Sequence, residues 1–232
     1  MLLTFLLVLL NSIIDRVVLM KQVPNISVVT PTFRRPEEVV GLFLNLNNQS
    51  VLPDEVIIVD GAPAEETATE LEVAKIAGSL PFRVSYIRHS GGTAIQRNVG
   101  IEAAGGSLIA LIDDDVRLEP DFLEILLAVF SYDVKIEVGG VVGYRTNRHF
   151  QLEESKRWRW YKRLRLFSVY EPGRYDYASG YPINNNMQPP FSGTRPVDFM
   201  TTACAVWRRE WWQRRMDRDH PPVSRSHWAF CA

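Results

Sequence analysis

The feature that most constrains the fold is an alternation of short apolar runs with longer segments of helical periodicity. The runs 26–30, 55–59 and 107–112 are nearly continuous in aliphatic residues, which is typical of strands buried on both faces. The segment 36–46 repeats apolar residues at helical spacing. Because this alternation continues to about residue 138, we predict an α/β fold with a mostly parallel sheet flanked by helices.

Three adjacent carboxylates, Asp113, Asp114 and Asp115, follow the apolar run 107–112. Open α/β sheets bind ligands at the carboxyl ends of their strands, where these residues would lie. Adjacent carboxylates repel one another, and a hard cation such as Mg²⁺ or Mn²⁺, itself bound to a phosphate, would relieve the repulsion. A solvated acidic turn before a helix at Pro120 is the alternative interpretation of the tripeptide alone.

The composition allows one sizeable core, since 46% of the 232 residues are hydrophobic. Two cysteines, Cys204 and Cys231, form no disulfide framework and no metal-ligand spacing, which favours a reducing, cytoplasmic compartment. Residues 1–144 carry 19 acidic against 10 basic side chains, whereas residues 145–232 carry 16 basic against 8 acidic and all six tryptophans. This asymmetry indicates that the first part of the chain binds a metal and a nucleotide, and that the second part binds an anionic partner.

The first ten residues are almost wholly apolar, but polar residues from Asn11 onward end the run well short of the ~20 residues of a spanning helix. The segment has no basic start and no small-residue cleavage site, which argues against a signal peptide. Two interpretations remain. The segment is either a short anchor that touches a membrane or the result of a start assigned upstream of Met20, and we favour the second. We therefore expect an N-terminal extension over 1–21, a folded domain over 22–210 with halves 22–140 and 141–210, and an irregular tail over 211–232.

Four short motifs follow one another in a definite order. They are Thr30-Pro-Thr-Phe-Arg34, Val56-Ile-Ile-Val-Asp60-Gly61, Gln96-Arg97-Asn98-Val-Gly100 and Leu111-Ile-Asp-Asp-Asp115. Together they resemble the family 2 glycosyltransferases, inverting enzymes of the GT-A fold, over roughly residues 24–209. The resemblance implies transfer of a sugar from a nucleotide-diphosphate sugar to a hydroxyl acceptor, either a glycan or a lipid-linked molecule. It also implies a DxD motif that binds Mn²⁺ or Mg²⁺.

The resemblance assigns roles to individual side chains. Asp60 can accept a hydrogen bond from the base or ribose, although a turn carboxylate before Gly61 is the alternative. Arg97 can reach the diphosphate or brace the aspartates. Thr30 and Thr32 would lie beside the base, unless they merely cap the following helix. The candidate nucleotide-binding residues are thus Thr30, Thr32, Arg34, Asp60, Arg97, Asp113 and Asp114, and the candidate metal ligands are Asp113 and Asp115.

Inversion requires a general base that deprotonates the acceptor hydroxyl. In the family this base is an acidic residue that follows a segment similar to 197–209 here. The chain departs from the family pattern in two ways. Thr202 stands where glycine is common, and the chain ends before a clear Glu-Asp motif, as expected after truncation or a shifted reading frame. Asp217 and Asp219 are the candidate bases, and the departures predict a chain that binds donor but transfers poorly, or a non-catalytic nucleotide-sugar-binding remnant.

Residues 156–167 interleave cations with aromatic side chains. They could contact an anionic membrane surface at the inner face of the cell membrane, or grip a lipid-linked diphosphate acceptor. A solvated helix that packs Trp158 and Tyr161 on the sheet is the alternative, and no nucleic acid partner is expected.

Two rival enzyme classes fit less well. A haloacid-dehalogenase-type phosphatase would have Thr or Val at Arg117, and a nucleotidyltransferase would have a glycine-rich basic loop at 30–32.

Overall fold

The protein is described from a computed structural model that covers residues 24–143, 156–167, 171, 173–183, 193–200, 203–216 and 228–231. Its first part alternates strands and helices as predicted. The strands are β1 (Ile26–Thr32), β2 (Glu55–Asp60), β3 (Arg83–Arg88) and β4 (Leu108–Ile112). The helices are α1 (Pro36–Asn47), α2 (Ala68–Ala77), α3 (Thr93–Ala103) and α4 (Phe122–Tyr132).

The second part contains shorter elements. These are β5 (Gly140–Gly143), α5 (Lys156–Arg163), β6 (Tyr175–Asp176), β7 (Tyr181–Pro182), β8 (Thr194–Val197), β9 (Cys204–Arg208), α6 (Arg209–Met216) and β10 (Trp228–Cys231). The expectation of an irregular tail over 211–232 needs correction, since α6 and β10 both lie partly or wholly within it. β10 obtains its hydrogen-bond partners from strands distant in sequence, and local periodicity gives no sign of such pairing.

The main sheet has the strand order β3-β2-β1-β4-β9-β5-β10-β8. The strands β3, β2, β1 and β4 are parallel to their neighbours. β9 runs antiparallel to both β4 and β5, and β10 pairs parallel with β5 and antiparallel with β8. The mostly parallel α/β sheet predicted from the sequence is therefore confirmed.

The helices cover both faces of the sheet. One apolar cluster buries side chains of α1, α2 and α4, and a second cluster on the other face buries Ile101 of α3 and holds Trp212 of α6 against it. The connections from β1 to β3 thus cross one face, whereas the connection from β3 to β4 crosses the other. This reversal leaves a crevice between the carboxyl ends of β1 and β4, the place where open α/β sheets bind ligands.

Glycine allows α3 to lie close to the sheet. A Cβ atom at Gly100 would collide with Val29 Cγ1 of β1 and would lie 3.2 Å from Val59 Cγ2 of β2. The close approach sets α3 directly against β1 and β2. None of the helices within the described ranges is both long enough and apolar enough to traverse a bilayer.

Candidate active site

A cleft of about 370 Å³ opens at the carboxyl ends of β1 and β4, beside the first turn of α3. It lies at the crevice where the crossover direction reverses. Three of the four sequence motifs contribute to its walls. The lining residues are Pro31, Thr32, Phe33, Arg35, Thr93, Gln96, Asp113, Asp114 and Asp115.

Asp114 is the buried member of the three aspartates, with only 7% of its side chain exposed. Its Oδ2 accepts a hydrogen bond from Thr32 Oγ1 at 2.7 Å, and its Oδ1 accepts one from Arg35 Nη1 at 3.2 Å. Both partners lie at or just after the end of β1. Asp114 therefore ties the loop after β4 to β1, and its oxygens are already engaged within the protein.

Asp113 and Asp115 are the open members, with 31% and 61% of their side chains exposed. Asp113 Oδ1 accepts a hydrogen bond from Arg97 Nη2 at 2.5 Å, and Asp115 Oδ2 lies 3.5 Å from Arg35 Nη1. No group of three or more His, Cys, Asp or Glu side chains gathers as a metal site among the described residues. Two open carboxylates fit a Mg²⁺-like ion, because such ions commonly use one or two carboxylates together with substrate phosphates.

Two arginines supply the positive charge of the cleft. Arg97, predicted from the sequence, braces Asp113 from the first half of α3. Arg35, which sequence reasoning did not select, spans Asp114 and Asp115. The nearby charge of Asp114 raises the pKa of Arg35, so its guanidinium stays protonated. The acidic edge is therefore partly neutralised by cations that could also face an anionic ligand.

Arg34, the arginine selected from the sequence, does not line the cleft. Its backbone has φ +58°, which turns the chain sharply after β1. Its side chain pairs with Glu66 at 2.5 Å and lies 4.8 Å from the Phe33 ring centroid. The reversal of direction at this residue leaves Arg35 beside the aspartates.

Gln96 belongs to the third sequence motif, but the sequence predicted no role for it. It is buried, and its Nε2 donates to Thr32 O at 2.8 Å and to Val59 O at 2.9 Å. These bonds fasten the first turn of α3 to the ends of β1 and β2. Because Gln96 directly precedes Arg97 in the motif, the sequence could have indicated that it also lies near the site.

Asp60 and Thr30 are not among the residues that line the cleft. Asp60 is fully buried, and its carboxylate accepts hydrogen bonds from the Ala62 amide and the Tyr86 hydroxyl, both at 2.8 Å. Burial, together with this hydrogen bond, raises the pKa of Tyr86. Thr30 is also fully buried, and its Oγ1 has no hydrogen-bond partner among the described residues. In this structure Asp60 holds the turn after β2, in accordance with the turn-carboxylate alternative.

The candidate bases Asp217 and Asp219 lie outside the described residues. Asp198, the acidic residue that follows β8, is 5% exposed. Its carboxylate accepts a hydrogen bond from Arg174 Nη1 at 2.9 Å and one from the Tyr175 amide at 3.1 Å. Asp198 therefore acts within the fold as a buried acceptor.

The fold and the cleft define a class of protein: an α/β protein of the GT-A type, with an acidic cleft at the carboxyl edge of its sheet. Comparison with protein families agrees. Residues 27–214 match the model described as glycosyl transferase family 2. The chain belongs to this family, as the four sequence motifs indicated.

Similar proteins include an uncharacterized glycosyltransferase of Haemophilus influenzae, 32% identical over 48% of this chain and 36% of that protein. A chondroitin synthase of Escherichia coli is 27% identical over 65% of this chain and 22% of that protein. The solved structure of a mannosyltransferase from Pyrobaculum calidifontis, in complex with GDP-Man and Mn²⁺, matches with a TM-score of 0.53 at 17% identity, over 84% of this chain and 48% of that chain. The chain thus matches less than half the length of each of these relatives.

Proposed function

We propose that this chain binds a nucleotide-diphosphate sugar in the cleft and transfers the sugar to a hydroxyl acceptor with inversion. The observation that carries the proposal is the pair of open carboxylates, Asp113 and Asp115, each paired with an arginine. Such an arrangement can accept a divalent cation and a diphosphate together. The likeness in fold to a mannosyltransferase solved with GDP-Man and Mn²⁺ supports the same class of donor here.

Asp113 and Asp115 would hold the cation, Mn²⁺ or Mg²⁺. When bound, the cation would neutralise the charge of the departing diphosphate as a Lewis acid. Asp114 would keep the loop after β4 in position through Thr32 and Arg35. The fit is supported by the exposure of Asp115, because an open carboxylate can exchange its solvent for a metal without breaking the fold.

Arg35 and Arg97 would contact the diphosphate, since guanidinium groups match phosphate oxygens in geometry and charge. Phe33 is half exposed on the cleft wall and would pack against the base or ribose. Thr32 and the fully buried Asp60 lie side by side at the ends of β1 and β2. A contact from Asp60 to the nucleoside stays a prediction, because its carboxylate is occupied by Ala62 and Tyr86.

The transfer step is a direct displacement. The acceptor oxygen forms a bond to the anomeric carbon while the bond from that carbon to the diphosphate oxygen breaks, and the bonding electrons leave with the diphosphate. The hydroxyl proton passes to a carboxylate base, for which Asp217 and Asp219 remain the proposed candidates. A glycan or lipid-linked acceptor is proposed, and the similarity to a chondroitin synthase supports the glycan.

A donor screen tests the proposal. The chain is incubated with a panel of nucleotide sugars in Mn²⁺ or EDTA, with the melting temperature followed first and release of nucleoside diphosphate second. We expect stabilisation by one donor class in Mn²⁺, and a transferred sugar whose anomeric configuration is inverted by NMR. If no donor changes the melting temperature, the proposal is wrong. Stabilisation without transfer to any acceptor would instead identify the non-catalytic remnant.

Arg97→Ala provides the matched variant for this screen. Loss of its charged hydrogen bonds should weaken nucleoside diphosphate binding by about 1.5–3 kcal/mol while changing nucleoside binding much less. Lys135→Ala, an exposed cation outside the cleft lining, is the control and should bind like the parent. Equal weakening of nucleoside and diphosphate would remove Arg97 from the diphosphate site.

A further inference from the structure

The basic aromatic segment, residues 156–167, comprises α5 and the turn that follows it. It contains no acidic residue. Its six cations are all exposed, and the guanidinium of Arg163 lies over the Trp160 ring, 5.9 Å from its centroid. The cations are Lys156, Arg157, Arg159, Lys162, Arg163 and Arg165.

Large apolar side chains are exposed among these cations. Trp160 and Leu164 are each 59% exposed, and Leu166 is 52% exposed. The Leu164 amide donates to Trp160 O at 2.9 Å, so Leu164, the residue that follows α5, stands one helical turn after Trp160 on the same side. Trp160 and Leu164 are therefore neighbours among exposed cations, and the exposed Leu166 follows two residues later.

Aromatic contacts fix which side of the segment faces outward. The Tyr161 and Phe167 rings meet edge to face at 5.7 Å, and Phe167 stacks on Tyr181 of β7 at 4.8 Å. The Tyr161 side chain is partly buried and contacts Phe167 of the same segment. The alternative from the sequence, that Trp158 and Tyr161 pack on the sheet, stays a prediction, since the side chain of Trp158 lies outside the described residues. The Phe167 ring thus joins the segment to β7, whereas Trp160 stays exposed.

The end of α5 is also structured. Arg165 has φ +49°, its amide donates to Lys162 O at 3.1 Å, and the Leu166 amide donates to Tyr161 O at 3.1 Å. This pair of bonds is the usual closure of a helix by a left-handed residue. The closure fixes the backbone around Arg165, and the exposed Leu164 and Leu166 lie on either side of this cation in the chain.

We propose that the basic aromatic segment binds the surface of a bilayer that contains anionic phospholipids. The cations would contact headgroup phosphates, while Trp160, Leu164 and Leu166 would enter the boundary between headgroups and acyl chains. Exposed leucines favour a bilayer over a nucleic acid, because they can enter the acyl boundary but cannot bond to phosphates or bases. The binding is a property of this surface and does not depend on the transfer reaction.

Vesicle sedimentation with the whole chain tests the proposal. At about 0.1 M salt the chain should sediment with vesicles of 70:30 phosphatidylcholine and phosphatidylglycerol, and not with phosphatidylcholine alone. Binding should weaken several-fold at about 0.5 M salt, because the headgroup charges are then screened. Sedimentation that is equal for the two vesicle types, or absent with both, would overturn the proposal.

Two double variants separate the charge from the apolar contribution. Arg159→Glu with Arg163→Glu should reduce the affinity for anionic vesicles at least about twenty-five-fold, since each of the two lost cations contributes about a fivefold factor. Trp160→Ser with Leu164→Ser should reduce it several-fold and leave the net charge unchanged. The controls are Lys75→Glu with Lys135→Glu, which makes the same charge change elsewhere, and Leu71→Ser, an equally exposed leucine on α2.

The controls should bind like the parent. If both segment variants also bind like the parent, or if the charge control loses as much affinity as the segment variant, the segment is not the membrane-binding surface. A single-stranded oligonucleotide serves as the competing probe. Tighter binding of that probe than of the vesicles, lost in the same two variants, would assign the segment to nucleic acid and overturn the proposal.

Discussion

Three adjacent carboxylates after β4 occupy three different environments. Asp114 is buried against Thr32 and Arg35, whereas Asp115 is largely exposed. We expect Asp114→Asn to lower the free energy of unfolding by about 1–3 kcal/mol, because a buried charged acceptor is lost. Asp115→Asn should change it by less than about 0.5 kcal/mol. Urea denaturation of the two variants measures both values.

The comparison is internally controlled, since the two substitutions are chemically identical and one residue apart. Equal losses of stability, or a larger loss in Asp115→Asn, would contradict the assignment of Asp114 as the anchor. A stable Asp115→Asn variant is also what a ligand-binding study of this residue requires.

At the level of single residues, the sequence predicted carboxylates at this edge and gave Arg97 two roles, one of which was to contact the aspartates. Asp113 and Arg97 are brought together because one follows a buried strand and the other lies early in a helix that starts at the same edge. The choice between Arg34 and Arg35 could not be made from the sequence, because it depends on the backbone reversal at Arg34. The full burial of Thr30 could not be predicted either, because it depends on which elements of the fold cover β1.

At the level of secondary-structure elements, the candidate site requires α3 to lie close to the sheet. Gly100→Ala should push α3 away from Val29 and destabilise the fold by about 1–3 kcal/mol through overpacking. Gly78→Ala is the matched control, because a Cβ there would meet nothing within 4 Å and its φ of −70° suits alanine. Urea denaturation checks both variants, and equal stability of the two would contradict a tight contact between Gly100 and Val29.

The end of α4 is joined to β9 through Asp133 and Arg208, whose Oδ2 and Nη2 atoms lie 3.1 Å apart. Burial alone would raise the pKa of Asp133, but hydrogen bonds from the Val138 and Glu137 amides and from Arg208 outweigh it and lower the pKa below its ordinary 3.8. A carboxyl whose pKa falls on folding contributes its full stabilisation when the pH is above the pKa that the group has in the unfolded protein. That stabilisation is lost as the pH falls through the lower pKa that the group has in the folded protein.

Asp133→Asn should therefore cost about 1–3 kcal/mol of unfolding free energy at pH 7, and the difference from the parent should shrink below about pH 4. Urea denaturation across pH 7 to 3 measures it. Glu65→Gln, at an exposed carboxyl, is the control and should follow the parent at every pH. A difference between parent and Asp133→Asn that stays constant down to pH 3 would contradict the charge-based account.

Strands differ in how well the sequence predicts them. β1, β2 and β4 are continuous apolar runs because both of their faces are covered, so their patterns can be read directly. β6 and β7 contain two residues each, and β10 pairs with strands far along the chain. For such short elements the hydrogen-bond partners, and not the local pattern, decide the structure, and the sequence alone does not show them.

Considered as a whole molecule, the chain places its acidic cleft and its basic surface on different elements. The cleft lies between β1, β4 and α3, whereas the exposed cations belong to α5 and the turn after it. This arrangement agrees with the charge asymmetry of the sequence, in which acids dominate before residue 144 and bases after it. The two surfaces can therefore be altered independently, and variants of one serve as controls for the other.

The central claim is that Asp113 and Asp115 hold a divalent cation that the nucleotide diphosphate requires. Isothermal titration of the chain with GDP, UDP and dTDP, in Mn²⁺ and in EDTA, tests this claim most directly. We expect one nucleotide to bind at least about tenfold more tightly in Mn²⁺, and we expect this difference to disappear in Asp113→Asn and in Asp115→Asn while both variants stay folded. Affinity that is unchanged by both substitutions, or equal in Mn²⁺ and EDTA, would contradict the account.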